Sequence, residues 1–153
     1  MGKIDEIDLK ILAELQKDAS ISVPKLSKKI NVNSSVAYSR IKRLAKRQLI
    51  KRFTIEVNDE ALGYTVSALI GLNIDSKVRD VILDEMLKMA SVRDIHEVTG
   101  RFDLLVKVKA HSLEELHETV SAKIGKLNGV MHTETFIEMR RRESEISYAV
   151  QKS

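Results

Sequence analysis

The sequence contains no cysteine and no tryptophan, and aromatic residues make up only 4% of its 153 residues. The lack of cysteine excludes disulfides, zinc sites built on thiolates and a cysteine nucleophile. The scarcity of aromatic side chains argues against a platform on which single-stranded nucleic acid stacks. Apolar runs stop at a few residues, well short of the ~20 that a membrane helix needs, and no secretory signal pattern opens the chain. We therefore expect a cytoplasmic protein with no membrane partner.

Charge is distributed unevenly along the chain. The net charge is +4, yet residues 1–52 carry 13 Lys and Arg against five Asp and Glu, whereas residues 53–153 carry 13 against 17. No acidic residue occurs from Ala19 to Ile55. A basic module joined to an acidic one predicts that the first part meets a polyanion.

The N-terminal part predicts three helices. Asp5 is placed to cap the first, and Ser22 stands before the only proline of the chain at the start of a short second helix. Asn31–Asn33 predicts a tight break, because asparagine tolerates the left-handed backbone conformation and also caps helices. A third helix is expected from about Ser34 to Arg47. A short helix, a tight turn and a longer helix form a helix-turn-helix pattern.

The third helix of such a motif lies in the major groove of DNA, with its N-terminal half at the base edges. Its outward side here carries hydroxyls and long cations but no carboxylate, which suits base acceptors and phosphates. The pattern alone also fits a solvated basic face on an ordinary helical bundle, and the acid-free stretch favours DNA. The predicted DNA-binding residues are Lys28, Ser34, Ser35, Val36, Tyr38, Ser39, Arg40, Lys42, Arg43 and Lys46.

The C-terminal part predicts strands and helices in the order βαββαβ, with strands over 64–74, 92–99, 103–110 and 130–139. Ser76 and a capping box formed by Ser112 and Glu115 are expected to open the two helices. This order is that of a ferredoxin-like α+β sandwich, whose second and third strands form a hairpin. The apolar helix positions expected to face the sheet are Val78, Val81, Ile82, Met86 and Met89, then Leu113, Leu116, Val120, Ile124 and Leu127.

The fold class is therefore α+β, a (winged) helix-turn-helix domain followed by a ferredoxin-like domain. The helix-turn-helix DNA-binding domain is expected over residues 1–50. Residues 49–57 alternate loosely, so that a linking strand or wing is expected over 51–62. The ferredoxin-like domain follows over 63–140, and an exposed or partner-held tail over 141–153.

Short motifs recur in a fixed order along nearly the whole chain. They are Ile4–Asp8 with Ile11-Leu12, Leu26-Ser27, Arg40–Leu44, the hairpin sequence His96–Leu105, Gly129-Val130 and Thr133–Thr135. In this order and spacing they resemble the Lrp/AsnC (feast/famine) family of transcription regulators. The chain departs from the usual family pattern at Ser20, at Asn31 and Asn33, and at Gln48.

The resemblance implies a homodimer, built from the linking strand and a sheet face and often assembled into tetramers or octamers. It also implies a pseudo-palindromic operator on double-stranded DNA, and a free amino acid as effector, bound between subunits near the hairpin, with no other cofactor. Gly100 offers close backbone approach and Asp103 a carboxylate for an ammonium group, although both also fit a plain turn. The expected effector-binding residues are Thr99, Gly100, Arg101, Phe102, Asp103, Leu104, Thr133 and Thr135.

Two other functions fit parts of the sequence. An architectural protein that coats DNA with weak sequence preference would use the same basic helix. A small ferredoxin-like enzyme with a basic extension would need a nucleophile or an acid–base cluster, and the sequence shows none. Its four histidines lack metal-ligand spacing, and no phosphate-binding loop is present. We therefore expect a sequence-specific regulator modulated by an amino acid, without a metal and without enzymatic activity.

Overall fold

A computed structural model describes residues 2–148 of the chain. These residues form two compact units, one comprising residues 2–56 with 143–148 and the other residues 57–142. No helix within the described range is long and apolar enough to cross a membrane.

The first unit contains the three expected helices, α1 (Glu6–Lys17), α2 (Val23–Ile30) and α3 (Ser34–Lys46). Asp5 caps α1 as predicted, and the cap is reciprocal because Asp8 accepts a hydrogen bond from the backbone of Asp5. The helices enclose a small core whose fully buried or nearly buried side chains are Ile11, Leu26, Ile30 and Leu44.

The segment 49–57, expected to be a strand or a wing, is not a strand within the described chain. It has no regular secondary structure, and Phe53, Ile55 and Val57 are exposed. No strand of the described chain pairs with it, so its backbone groups have no ladder partner. The later part of the expected linker forms a short 3₁₀ turn, Glu60–Leu62. Residues 140–148 are also irregular and exposed, and residues 149–153 of the expected tail lie outside the described range.

The second unit has the predicted βαββαβ order. Its strands are β1 (Val66–Ile74), β2 (Val92–Glu97), β3 (Leu104–Ala110) and β4 (Val130–Ile137). They form one antiparallel sheet in the order β2-β3-β1-β4. The helices are α4 (Arg79–Leu87) and α5 (Leu113–Glu118), and α5 continues as a π turn, Thr119–Lys123, and a 3₁₀ turn, Ile124–Lys126. This is the ferredoxin-like arrangement.

Buried side chains alternate with less buried ones along the two central strands, β1 and β3, and the buried ones form the core of the second unit. Ala68, Ile70 and Leu72 of β1 are completely buried, and so are the inward side chains Leu104, Val106 and Val108 of β3. Ile82 and Met86 of α4, and Leu116, Val120 and Ile124 after β3, cover this face. Two expected inward residues are instead exposed, Val81 at 62% and Leu113 at 60%. Both lie near helix starts, at positions that do not point towards the sheet.

Both helix starts in the second unit differ from the prediction. Asp75, not Ser76, is the cap before α4, since its carboxylate accepts from the backbone N–H of Lys77 at 2.9 Å in a 3₁₀ turn, Ser76–Val78. Ser112 caps α5 as predicted and accepts from the N–H of Glu115 at 3.1 Å. The reciprocal half of the expected capping box is missing, because the Glu115 carboxylate accepts from the N–H of His111. This hydrogen bond and a second contact, from Nδ1 of the His111 ring at 2.8 Å, lower the pKa of Glu115.

Candidate functional site

The turn between α2 and α3 is set by two asparagines. Asn31 adopts the left-handed conformation, with φ 57° and ψ 53°, and its N–H donates to the last carbonyls of α2. Asn33 occupies the N-cap position of α3, although its side chain makes no cap hydrogen bond. The hydroxyls of Ser27 and Ser34 lie 3.1 Å apart and tie the two helices together. The turn therefore has the geometry that the sequence predicted for a helix-turn-helix.

Most of the predicted DNA-binding residues are exposed along α3. Ala37 faces the core with no exposed surface, so the opposite side of α3 points outward. Lys42 Nζ lies 5.4 Å from the ring centroid of Tyr38, and Ser39 Oγ donates to the carbonyl of Val36 at 3.1 Å. Val36 and Arg40 are only partly exposed. The exposed members of the set are Lys28, Ser34, Ser35, Tyr38, Ser39, Lys42, Arg43 and Lys46.

Two of the predicted cations belong to an ion-pair cluster that the sequence did not reveal. Arg40 binds the carboxylates of Asp5 and Asp8, and Arg43 Nη2 lies 2.9 Å from both oxygens of Asp8. Asp8 is completely buried. The hydrogen bonds that Arg40 donates to the carboxylate of Asp5 lower the pKa of Asp5 and raise the pKa of Arg40. A sequence signal existed, since two carboxylates three residues apart at the start of α1, Asp5 and Asp8, match two arginines three residues apart on α3.

The hairpin loop between β2 and β3 is fixed by backbone hydrogen bonds around Asp103. The Asp103 N–H donates to the carbonyl of Leu72, and its carbonyl accepts from Val98. Its carboxylate Oδ2 accepts from the N–H of Ile74 at 2.9 Å. Gly100, with φ +119°, has open space on the side where a Cβ would stand. The Asp103 side chain is thus partly engaged in holding the loop, while Gly100 leaves the tip accessible.

Phe102 places the loop over the sheet face opposite to the helices. Gly71 of β1 lies directly beneath the Phe102 ring, and Phe136 of β4 meets the ring edge-on at 6.1 Å between centroids. Arg101 Nη2 lies 2.9 Å from Glu134 Oε2 and also faces the Phe102 ring. An aromatic patch and a pair of opposite charges therefore meet beside the hairpin.

The expected effector-binding residues are not all on this side of the sheet. Leu104 is completely buried in the core. Thr133 and Thr135 pair with Leu72 and Ile70, and paired residues of antiparallel strands point to the same face. Both threonines therefore lie on the helix side, away from Phe102. Within one chain the structure brings together only the loop residues of the predicted set, Thr99 to Asp103.

The sheet face opposite to the helices, called the open face below, mixes apolar and paired charged residues. Leu69, Leu105 and Phe136 are on this face, since they alternate with inward residues of β1, β3 and β4. Lys107, which lies beside Leu69 on the inner strand β3, forms an ion pair with Glu138 at 3.1 Å, and Lys109 forms one with Asp59 at 2.6 Å. Phe136 remains 45% exposed. Within residues 2–148 no group of three or more His, Cys, Asp or Glu is arranged to hold a metal ion.

Comparison with known families matches both units. The family model described as the AsnC-type helix-turn-helix domain matches residues 4–45. The model described as the Lrp/AsnC ligand binding domain matches residues 67–146.

Individual proteins agree with these matches. HTH-type transcriptional regulator FL11 of Pyrococcus furiosus is 34% identical over 139 residues, 91% of each chain. An uncharacterized HTH-type transcriptional regulator of Pyrococcus abyssi is 35% identical over 136 residues, 88% of this chain and 85% of that protein. The structure of Escherichia coli AsnC superposes with a TM-score of 0.85 at 25% identity, covering 95% of this chain and 98% of that one.

A transcriptional regulator of Neisseria meningitidis, solved as a complex with L-Met, shares the fold with a TM-score of 0.90. It is 19% identical and covers 96% of this chain and 97% of that one. The fold, the two family models and the relatives agree across both units. The chain belongs to the Lrp/AsnC family of helix-turn-helix transcriptional regulators, which are not enzymes.

Proposed function

We propose that the protein is a sequence-specific cytoplasmic regulator whose DNA binding responds to a free amino acid. The observation that carries the DNA part is the exposed side of α3, where hydroxyls and cations stand together without a carboxylate in a stretch of 37 acid-free residues. Such a surface attracts phosphates and presents donors to base acceptors. The observation that supports the amino acid part is the match of residues 67–146 to a ligand binding domain.

In this proposal α3 lies in the major groove. Ser35 and Ser39 are near its start and have short hydroxyls suited to base edges, while Lys42, Lys46 and Lys28 neutralise phosphates. Ser34, Tyr38 and Arg43 border the same surface, and Val36 reaches it only in part. Arg40 contributes less than its position in the sequence implies, because its side chain is 20% exposed and bound to two carboxylates.

The open face is the proposed dimer interface. Leu69, Leu105 and Phe136 are its apolar side chains beside the ion pairs of Lys107 and Lys109, and an antiparallel sheet needs cover on an apolar face. A two-fold axis through this face gives the commonest kind of homodimer. The exposed apolar segment 53–57 would pair across the same dimer as the linking strand, and further assembly to an octamer would use other surfaces.

The amino acid would bind beside the hairpin loop, where the open face meets the partner. An amino acid brings a carboxylate and an ammonium group, and Arg101 and Glu134 supply charges of both signs there. Gly100 allows close backbone approach, and Asp103 keeps one carboxylate oxygen without a hydrogen bond to the described residues. Thr133 and Thr135 point to the helix side, so the ligand would contact them only if it extended around the edge of the sheet at β4. Ligand binding changes DNA affinity only if the two dimer arrangements bind the ligand differently.

The experiment starts by selecting an operator from a random DNA pool with the full chain. Affinity for this operator and for a random duplex is then measured with and without each of the twenty amino acids, L-Met among them. We expect the operator to bind at least about 1,000-fold more tightly than the random duplex, and at least one amino acid to change that affinity. Equal affinity for both duplexes would instead identify an architectural DNA-coating protein.

Matched charge variants locate the DNA surface. The double variant Lys42→Gln, Lys46→Gln should weaken operator binding and reduce the slope of log affinity against log salt by about two. The control Lys77→Gln, Lys126→Gln removes the same charge from exposed positions of the second unit. If both double variants behave alike, α3 is not the DNA-binding element.

A further inference from the structure

The buried carboxylate of Asp8 accepts four hydrogen bonds, three of which connect α1 to α3. Its Oδ1 accepts from Arg40 Nη1 at 3.1 Å and from Arg43 Nη2 at 2.9 Å, and its Oδ2 accepts from Arg43 Nη2 at 2.9 Å and from the N–H of Asp5 at 3.2 Å. Its side chain has no exposed surface. A buried carboxylate so fully engaged fixes the groups that bind it.

Arg40 and Arg43 differ in how exposed their side chains are and in how many of their N–H donors have a hydrogen-bond partner. The Arg40 side chain is 20% exposed and completes the cluster by also binding Asp5. The Arg43 side chain is 47% exposed. It is anchored through Nη2 alone, and its Nη1 and Nε have no hydrogen-bond partner among residues 2–148. Both oxygens of Asp8 lie 2.9 Å from the one nitrogen Nη2, so they share one of its hydrogens. The other Nη2 hydrogen forms a two-donor edge with a neighbouring N–H of the guanidinium, and this edge has no hydrogen-bond partner among residues 2–148.

We infer that Asp8 is a positioning residue that holds Arg43 in a fixed orientation for reading a base. A guanidinium donates two parallel hydrogen bonds to O6 and N7 of guanine, which is the commonest specific contact in the major groove. An arginine that is already oriented loses less side-chain entropy when it makes that contact. The inference rests on the proposed function, in which the exposed side of α3 enters the major groove.

The direction in which Asp8→Asn changes operator binding and random-duplex binding distinguishes a positioning role from a purely stabilising one. Asp8→Asn replaces one of the two carboxylate oxygens that anchor Arg43 with an NH2 group that cannot accept a hydrogen bond, and it also removes one negative charge next to the DNA surface. Operator binding should weaken because Arg43 is no longer oriented, whereas binding to a random duplex should stay equal or strengthen because repulsion of phosphate falls. A residue that only stabilises the fold would leave the ratio of the two affinities unchanged in the folded protein.

The experiment is a double-mutant cycle on this ratio, measured with the full chain and an operator selected from random DNA. Asp8→Asn and Arg43→Lys should each lower the ratio by roughly tenfold, the discrimination typical of one bidentate contact. The double variant should lose no more than the larger single loss, because both changes remove the same oriented guanidinium. Arg43→Lys retains the positive charge, so its salt slope should match that of the parent.

A control and a safeguard accompany the cycle. Asp18→Asn makes the same substitution at an exposed aspartate of the first unit and should leave the ratio unchanged. Asp8 is buried, so thermal unfolding must first show that Asp8→Asn folds. If it does not fold, Asp8→Glu takes its place in the cycle, because it retains the charge but moves the carboxylate that orients Arg43, and it should lower the ratio as well.

The outcomes also separate this inference from the proposed function. If Arg43→Lys or a folded Asp8→Asn keeps the parent's ratio, or if the two losses are fully additive, the positioning role is wrong. If the positioning role fails in this way but the double variant Lys42→Gln, Lys46→Gln still weakens operator binding, the proposed function stands without the positioning role. If none of these variants changes DNA binding, the proposed function fails as well.

Discussion

The Phe102 ring lies directly on Gly71, so that a Cβ built on Gly71 would come within 2.7 Å of the ring carbons. Glycine in the middle of a strand normally weakens it. Here Gly71 is required for space, not for an unusual backbone conformation, because its φ is not positive. The contact seats the hairpin loop on the open face and thereby places Arg101 beside Glu134.

Gly71→Ala should therefore lower the free energy of unfolding by about 1–3 kcal/mol, the usual cost of overpacking. Urea denaturation measures this change. The double variant Gly71→Ala, Phe102→Ala removes the ring that the new methyl group meets, so Gly71→Ala should cost much less in a Phe102→Ala background. An equal cost in both backgrounds would show that the ring is not the obstacle.

Asp59 makes the stability of the second unit depend on pH. Its carboxylate accepts from Lys109 Nζ at 2.6 Å, and this hydrogen bond, with the charges of Lys109 and Arg93, holds the pKa of Asp59 below its ordinary value. A carboxylate whose pKa is lower in the folded state stabilises that state above about pH 4. The stabilisation is lost as the pH falls through the folded-state pKa.

We expect Asp59→Asn to lower the free energy of unfolding near neutral pH. The difference from the parent should shrink as the pH falls from about 4 through the lower folded-state pKa, below which Asp59 is protonated in both states. Urea denaturation over this pH range tests it. Asp80→Asn, at an exposed aspartate on α4, is the matched control and should show no such convergence. A constant difference at all pH values would contradict the role of the Asp59 charge.

The start of α4 offers a direct comparison of two neighbouring caps. Asp75→Ala removes the acceptor for the Lys77 N–H and should cost about 0.5–2 kcal/mol in the free energy of unfolding. Ser76→Ala, at the residue that the sequence favoured as the cap, should change it by less than about 0.5 kcal/mol. Thermal or urea unfolding of the two single variants decides between them. The reverse order of costs would restore Ser76 as the cap.

Assembly through the open face is tested at Phe136. Phe136→Asp replaces an apolar side chain of that face with a charged one and should convert the proposed dimer into a monomer, because a buried unpaired charge is costly. Light scattering at micromolar concentration measures the mass. Val81→Asp introduces the same charge at an apolar side chain of α4 that is 62% exposed, and it should leave the mass unchanged. A parent protein that is itself monomeric would refute the interface outright.

Local sequence signals determined the elements of both units. Asp5 and Ser112 each accept a hydrogen bond from the N–H three residues further along, and Asn31 takes a conformation open to few residue types. The burial of Ile70 and Leu72 follows from the two-residue period of a strand. Each depends on neighbours in the chain. The three helices of the first unit and the βαββαβ order of the second were therefore predictable.

Only the tertiary structure decided which distant side chains meet. Asp8 and Arg43 lie 35 residues apart and pair because α1 and α3 pack together. Thr133 and Thr135 lie on the helix side because the β1–β4 register pairs them with Leu72 and Ile70. The segment 49–57 alternates as a strand does, yet it has no strand beside it among the described residues. Periodicity specifies a local backbone preference, whereas pairing and side-chain contact depend on which other segment lies alongside.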